Sequence, residues 1–343
     1  MTQYSFLDDY SEGCHPEILK TMMETYLVQQ TAYGEDDYSL QAKSFIRVHL
    51  GEPDIPIFFV AGGTLANIII ISSCLKSHEA VISANTGHIA MRETGAIEAT
   101  GHKIISMPSD NGKLSVTDIE EAIDSNSMFP HMAKPKMVYL SNATEAGTIY
   151  SRSELSAISK ICRDHGLILM LDGARIGTAL TAKDNDLTFK DICELTDVFW
   201  IGGTKAGALI GEAIVFPNRA LALDISFHIK QRGALLAKGR LLGQQFQALF
   251  ADDLFFRASH HANRLAQKIS DAITSNGYPL AAKTDSNQVF PILPNSIIQS
   301  LAESFKFYPW QKIDSINSVI RLVTSWATDE NQVDAFINRL KNG

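Results

Sequence analysis

The stretch Leu167-Ile168-Leu169-Met170-Leu171-Asp172-Gly173-Ala174-Arg175 decides the fold class. Five apolar residues without a polar break suit a strand buried on both faces, and such strands belong to parallel sheets covered by helices. A second run, Val198-Phe199-Trp200-Ile201, ends in Gly202-Gly203-Thr204-Lys205. Each run delivers a charged residue at its carboxyl end. In open parallel sheets the ligand crevice lies outside those ends, so the acid and the lysine can converge there.

The remainder of the chain supplies the same rhythm. Ile57-Phe58-Phe59-Val60, Ala80-Val81-Ile82, Lys103 to Met107, Met137-Val138-Tyr139-Leu140 and Ala213 to Phe216 read as further strands, with helical patterns between them. Residues 56–216 therefore form one doubly wound α/β unit. Before it, His15-Pro16 starts a helix with Ile18, Leu19, Met22, Met23 and Tyr26 on one face, and a second helix carries Phe45, Ile46 and Leu50. Residues 130–135 read as a linker, Ser115 to Ile123 as a capped helix, and a further helix runs from Ser151 with Leu155, Ile158, Ile161 and Cys162 on one face. After Phe216 long helical patterns run to about residue 276, with Lys230, Arg232, Lys238 and Arg240 in one basic section. Two strands, Asn287 to Ile292 and Val319 to Val323, and a last helix with Val333, Phe336, Ile337 and Leu340 make a smaller α+β domain. The expected division is 1–50 for an arm and first helices, 51–250 for the large domain and 251–343 for the small one.

Composition narrows the partners. The 343 residues are 45% hydrophobic and 20% charged, with a net charge of -8. A chain this long exceeds one compact core. Its acidic balance argues against nucleic acid or an anionic membrane and for a small-molecule partner. Cys14, Cys74, Cys162 and Cys193 are scattered without metal-ligand or disulfide spacing, so no metal site is expected. Asp8, Asp9 and Glu12 stand where a secretory signal would be basic and then apolar. The longest apolar stretch, Val60 to Leu75, falls short of the roughly 20 residues a membrane helix needs. A cytoplasmic location without membrane contact is the expectation.

Several short motifs bear on chemistry. Gly62-Gly63-Thr64 comes after a strand and opens a helix, where free backbone N–H groups, a hydroxyl and the helix dipole suit a phosphate. A plain turn would look the same, and Ile68-Ile69-Ile70-Ile71 by propensity alone favours strand. His88 lies just after a strand end, where a lone histidine packs or caps unless a ring-shaped ligand lies above it. Tyr33 sits in a polar loop. No G-x-G-x-x-G fingerprint is present, which disfavours a nicotinamide-dependent oxidoreductase. A strand-end aspartate, a later lysine, an anion loop and a carboxyl-terminal arginine together suit pyridoxal 5'-phosphate. That cofactor requires a lysine for a Schiff base, an acid for its ring nitrogen and a phosphate cradle. An amino-acid substrate adds the need for a forked cation on its carboxylate.

These residues also carry a resemblance. Phe58 to Asn67, Thr86-Gly87-His88, Leu171 to Arg175, Gly202 to Lys205, Arg321-Leu322-Val323-Thr324-Ser325-Trp326 and the opening Asp8-Asp9-Tyr10-Ser11-Glu12-Gly13 with His15-Pro16 resemble the L-threonine aldolase family, closest to its low-specificity threonine and phenylserine branch. The resemblance spans essentially the whole chain. It implies the fold type I architecture of pyridoxal-phosphate enzymes, a mostly parallel seven-stranded sheet flanked by helices, and cleavage of a β-hydroxy-α-amino acid to glycine and an aldehyde. Lys205 would bond the cofactor, Asp172 would pair with its ring nitrogen, Gly63 and Thr64 would bind its phosphate, Thr204 and Arg175 would also sit at the cofactor, and His88 would stack on the ring. Arg175 and Arg321 would meet the substrate carboxylate. Tyr33 would approach from a neighbouring subunit of a homodimer or homotetramer. Apart from the resemblance, the basic section with Lys230 and Lys238 suits either a solvated face or a phosphate neighbour.

Two positions depart from the family pattern. Glu145 stands where many threonine aldolases have a second histidine, and Asp8 where many have a serine. Both bear on substrate recognition, and either His88 or a Glu145 whose pKa is raised by burial would serve as base. The alternatives are another pyridoxal-phosphate lyase acting by β-elimination, an aminotransferase or racemase on the same scaffold, and a noncatalytic scaffold protein.

Overall fold

The computed structural model describes residues 3–109 and 111–342. Seven strands form the central sheet: β1 (Ile57–Val60), β2 (Glu79–Ala84), β3 (Lys103–Met107), β4 (Lys134–Ser141), β5 (Ile168–Gly173), β6 (Val198–Gly202) and β7 (Glu212–Val215). Their order is β1-β7-β6-β5-β4-β2-β3, and β7 alone runs against its neighbours. Side chains alternate between two apolar layers, as strand geometry requires. Val138, Leu140, Leu169, Leu171, Phe199 and Ile201 face one layer, closed by helices Asp37–Leu50, Arg152–Asp164 and Arg240–Ala251. Met137, Tyr139, Ile168, Met170, Val198 and Trp200 face the other, closed by helix Gly63–Cys74. The fully apolar strands are those buried on both faces.

Helix Gly63–Cys74 contains the four consecutive isoleucines, and full burial of Ile69, Ile70 and Ile71 with partial burial of Ile68 overrides their strand propensity. Capping boxes at Ser115 and Ser151 fix the starts of helices Val116–Ser125 and Arg152–Asp164. The linker expected at 130–135 is shorter, because β4 already begins at Lys134. Its Pro135 lies at the strand's outer end, next to a register shift in β2, where a missing N–H costs least. In helix Pro16–Thr25 only Ile18 of the expected apolar face is buried, while Leu19, Met23 and Tyr26 remain exposed.

The smaller unit has antiparallel strands Gln288–Val289, Ile292–Pro294, Tyr308–Lys312 and Asn317–Val323, packed on helices Asn295–Ala302 and Glu330–Asn342. Its core also takes Phe6 and the second half of helix Leu254–Ser275, from Leu265 to Ile273. The first turn of that helix, Leu254 and Phe255, belongs to the large-domain core. The two cores thus divide inside one helix, beyond residue 250, and the arm reaches the small unit through Tyr4–Ser5 pairing with Phe305–Lys306.

Candidate active site

Strand carboxyl ends converge on a cavity of about 150 Å³ lined by Gly63, Thr64, His88, Glu145, Asp172, Arg175, Thr204 and Lys205. Eight of the residues singled out from the sequence therefore share one wall. Each arrives on a segment just beyond a strand: Gly63 and Thr64 after β1, His88 after β2, Glu145 after β4, Arg175 after β5, and Thr204 and Lys205 after β6. Asp172 lies within β5 itself, opposite Ser141 and Trp200 in register.

Asp172 accepts three hydrogen bonds from the chain and still lines the cavity. Its Oδ1 accepts from the Ala174 amide at 2.9 Å, and its Oδ2 accepts from the Tyr139 hydroxyl at 2.5 Å and from Asn67 Nδ2 at 3.3 Å. Asn67 in turn accepts from Trp200 Nε1 at 3.0 Å and donates to Glu93 Oε1 at 2.8 Å. Burial, with the Asp172 charge beside it, pushes the Tyr139 phenol well above its ordinary pKa, so it stays a donor. These partners share the Tyr139-Trp200 face of the sheet with helix Gly63–Cys74, which explains their convergence.

At the start of that helix, Gly62 supplies no side-chain cap, and the first turn opens on the cavity. A Cβ at Gly63 would come within 2.8 Å of the Trp200 ring, so glycine permits the close approach of helix and sheet. His88 pairs through Nδ1 with Glu93 Oε1 at 2.8 Å, while its amide donates to Glu145 Oε1 at 2.9 Å. Ser141 also donates to Glu145 Oε1, at 2.9 Å. Glu145 Oε2 is shut off from solvent and has no protein partner. Burial, reinforced by the nearby Asp172 charge, raises the Glu145 pKa above the ordinary carboxylate value.

Lys205 faces Asp9, Asp172 and Glu212, yet burial and the Arg175 charge outweigh them and lower its pKa. The Tyr10 ring centroid lies 5.9 Å from its Nζ. Glu212 accepts from the Gly203 amide and from the Thr204 hydroxyl, both at 2.9 Å, and burial lifts its pKa to about 7. The Thr204 proton is thus committed to Glu212.

Asp8, Tyr33, Lys230, Lys238 and Arg321 lie outside the cavity wall. Asp8, partly exposed on the arm, is bonded to Ser11 and the Tyr10 amide; the adjacent Asp9 points inward and grips Arg175 instead. Tyr33 lines a separate hollow with Gly34 and Gly239, and Lys230 Nζ lies 5.2 Å from its ring centroid. Arg321 is mostly buried, donates through Nε to Gln288 Oε1 at 3.0 Å and stacks at 5.6 Å from the Trp310 ring centroid. Burial and Arg175 push its pKa down to about 10.

Sequence reasoning passes over Asp9, Asn67, Glu93, Tyr139, Trp200 and Glu212. Asn67 sits one helical turn after Gly63, a spacing that points it toward the same site. Glu212 begins the antiparallel strand, so its amino-terminal end reaches the edge where the parallel strands finish.

The sequence profile of the family described as beta-eliminating lyase matches residues 6–295. The low specificity L-threonine aldolase of Pseudomonas aeruginosa is 35% identical, over 97% of this chain and 95% of the relative. The solved structure of Leishmania major threonine aldolase is 46% identical and covers 99% of each chain with a TM-score of 0.97. A Thermus thermophilus aspartate aminotransferase, 12% identical with a TM-score of 0.74 over 99% of this chain and 91% of its own, shares the fold. With one profile spanning most of its length and a curated relative above thirty per cent identity end to end, the chain belongs to the beta-eliminating lyase family.

Proposed function

We propose that this chain is a pyridoxal-5'-phosphate-dependent aldolase that splits the Cα–Cβ bond of L-threonine, L-allo-threonine or a related β-hydroxy-α-amino acid into glycine and an aldehyde. The observation that carries the reading is the juxtaposition of Asp172, Lys205 and the open first turn of helix Gly63–Cys74 around one cavity. The names of the Pseudomonas and Leishmania relatives support it.

The residues present fit the cofactor. Lys205 would bond it, Asp172 would face its ring nitrogen, and Gly63 and Thr64 would meet its phosphate, with Thr204 beside Lys205 and His88 against the ring. When bound, the cofactor accepts the electron pair released at Cα as the Cα–Cβ bond breaks. The chain supplies the rest. Lys205, its pKa lowered by burial, offers more neutral amine near neutral pH than an exposed lysine would. Arg321 orients the substrate carboxylate. Glu145 Oε2, buried and without a partner, takes the β-hydroxyl proton as the carbon–oxygen bond becomes a carbonyl.

The proposal extends to a homodimer or homotetramer in which Tyr33 approaches a neighbouring subunit's site, with Lys230 and Lys238 near its phosphate. Exposed Tyr33 and the uncovered apolar residues of helix Pro16–Thr25 support it. A cytoplasmic location accords with four free cysteines. Among the described residues no helix is long and apolar enough to cross a membrane.

The test is product analysis of the cofactor-loaded protein with L-threonine. Glycine and acetaldehyde in equal amounts are expected. A keto acid with ammonia would contradict the reading and favour elimination, and a keto acid without free ammonia would favour transamination.

A further inference from the structure

The Asp9 carboxylate joins three distant parts of the chain. It accepts from Arg175 Nε at 2.8 Å, from Arg175 Nη2 at 2.9 Å and from Asn287 Nδ2 at 2.8 Å. Arg175 lies just beyond β5 in the large domain, Asn287 precedes the first strand of the small sheet, and Asp9 belongs to the arm. The Asp9 and Arg175 side chains are 1% and 10% exposed. Burial would raise the Asp9 pKa, but Arg175, Lys205 and the hydrogen bonds outweigh it and hold it low.

The junction continues toward the second arginine. Asn287 Nδ2 also donates to the Thr324 carbonyl at 2.7 Å. The adjacent Gln288 donates to the Thr144 carbonyl at 3.1 Å, beside Glu145, and accepts from Arg321 Nε at 3.0 Å. Asp9 thus fixes, through Asn287 and Gln288, where Arg321 stands relative to the cavity.

The two guanidinium groups are in opposite electrostatic states. The Arg175 fork is filled by a bidentate carboxylate, and a substrate displacing it would strand a buried acid, a costly exchange. Arg321 has no acid at ion-pair distance among the described residues, and only its Nε has a hydrogen-bond partner there. A mostly buried cation without a counter-ion attracts an anion more strongly than one already paired.

We propose that Asp9 is a positioning residue that occupies the Arg175 fork and anchors Asn287, leaving Arg321 to read the substrate carboxylate alone. The inference rests on the amino-acid lyase reading for the nature of the ligand, and it refines the expectation that both arginines meet the carboxylate.

The experiment is an absorbance titration of the cofactor-loaded protein with glycine and with glycinamide, which keeps the amine and lacks the anionic carboxylate. The unaltered protein should favour glycine by at least about tenfold, as a charge-assisted fork would. Arg321→Gln should abolish that preference. The neutral pair Asp9→Asn with Arg175→Gln should keep it within about threefold of the unaltered value, since Arg321 is intact. Asp9→Asn alone strips the Arg175 fork of its acid, so the preference for glycine should rise while glycinamide binds more weakly as the arm loosens. Loss of the preference in the neutral pair, its survival in Arg321→Gln, or unchanged affinities in Asp9→Asn would each overturn the proposal. Failure to release glycine from L-threonine would sink the proposed reaction and leave these binding ratios standing.

Discussion

Glu93 Oε1 lies 2.8 Å from His88 Nδ1, and the same oxygen accepts from Asn67, which reaches Asp172. One buried acid therefore sets both the imidazole on one side of the cavity and the amide beneath Asp172. An imidazole held with Nδ1 toward Glu93 presents Nε2 as its other face.

Removing that acid should release both groups. Glu93→Ala is expected to lower kcat about 10- to 100-fold, the scale of a small misplacement of catalytic groups. Glu93→Gln keeps the shape and one acceptor and should lose less. Steady-state kinetics on threonine with both variants check the order; equal losses would show that charge, not position, is what Glu93 supplies.

Glu145 governs the acid side of the pH profile. A base must be ionised, and the Glu145 pKa is raised by burial and by Asp172. As pH falls through that raised value the carboxylate is protonated and kcat declines, at a pH above the ordinary carboxylate range. Glu145→Gln should remove this limb and cost about 10²- to 10⁴-fold in kcat. An unchanged profile in Glu145→Gln would transfer the role to His88.

Glu212 bears on Lys205 by charge. Its carboxylate favours the lysine's ammonium form, opposing burial and Arg175. Glu212→Gln removes that support, so the Lys205 pKa should move further down. The pH dependence of Lys205 labelling by an amine reagent in the cofactor-free protein reads it directly. A shift upward would contradict the sign.

The exposed apolar surface bears on assembly. Met23, Tyr26 and Leu27 are 68%, 73% and 78% exposed on and just after the first helix. Light scattering should return the mass of a dimer or tetramer, and the paired Met23→Glu and Leu27→Glu changes should shift it toward the monomer. A monomeric unaltered protein would contradict the proposed assembly.

Much of this arrangement is legible in the sequence because parallel strands announce themselves. Leu167 to Leu171 and Val198 to Ile201 are uninterrupted apolar runs, and the residues at the carboxyl end of each run must lie at the ligand edge. Gly63, Thr64, His88, Glu145, Asp172, Arg175, Thr204 and Lys205 all stand at or just beyond such strand ends. The remaining site residues are set by tertiary packing. Nothing local distinguishes Asp9 from Asp8; the arm's path decides which carboxylate turns inward. Glu93 gains Asn67 and Tyr139 gains Asp172 from other elements, and Glu212 sits at the start of a strand whose reversed direction no periodicity reveals. The exposed face of helix Pro16–Thr25 misleads because apolar periodicity marks a face to be covered without saying whether this chain or another covers it.

The most direct measurement is borohydride reduction of the cofactor-loaded protein, with peptide mapping afterwards. The absorbance band of the bound cofactor should collapse on reduction, and the cofactor should be recovered on the peptide containing Lys205. Recovery on any other lysine, or none at all, would contradict the assignment of the site.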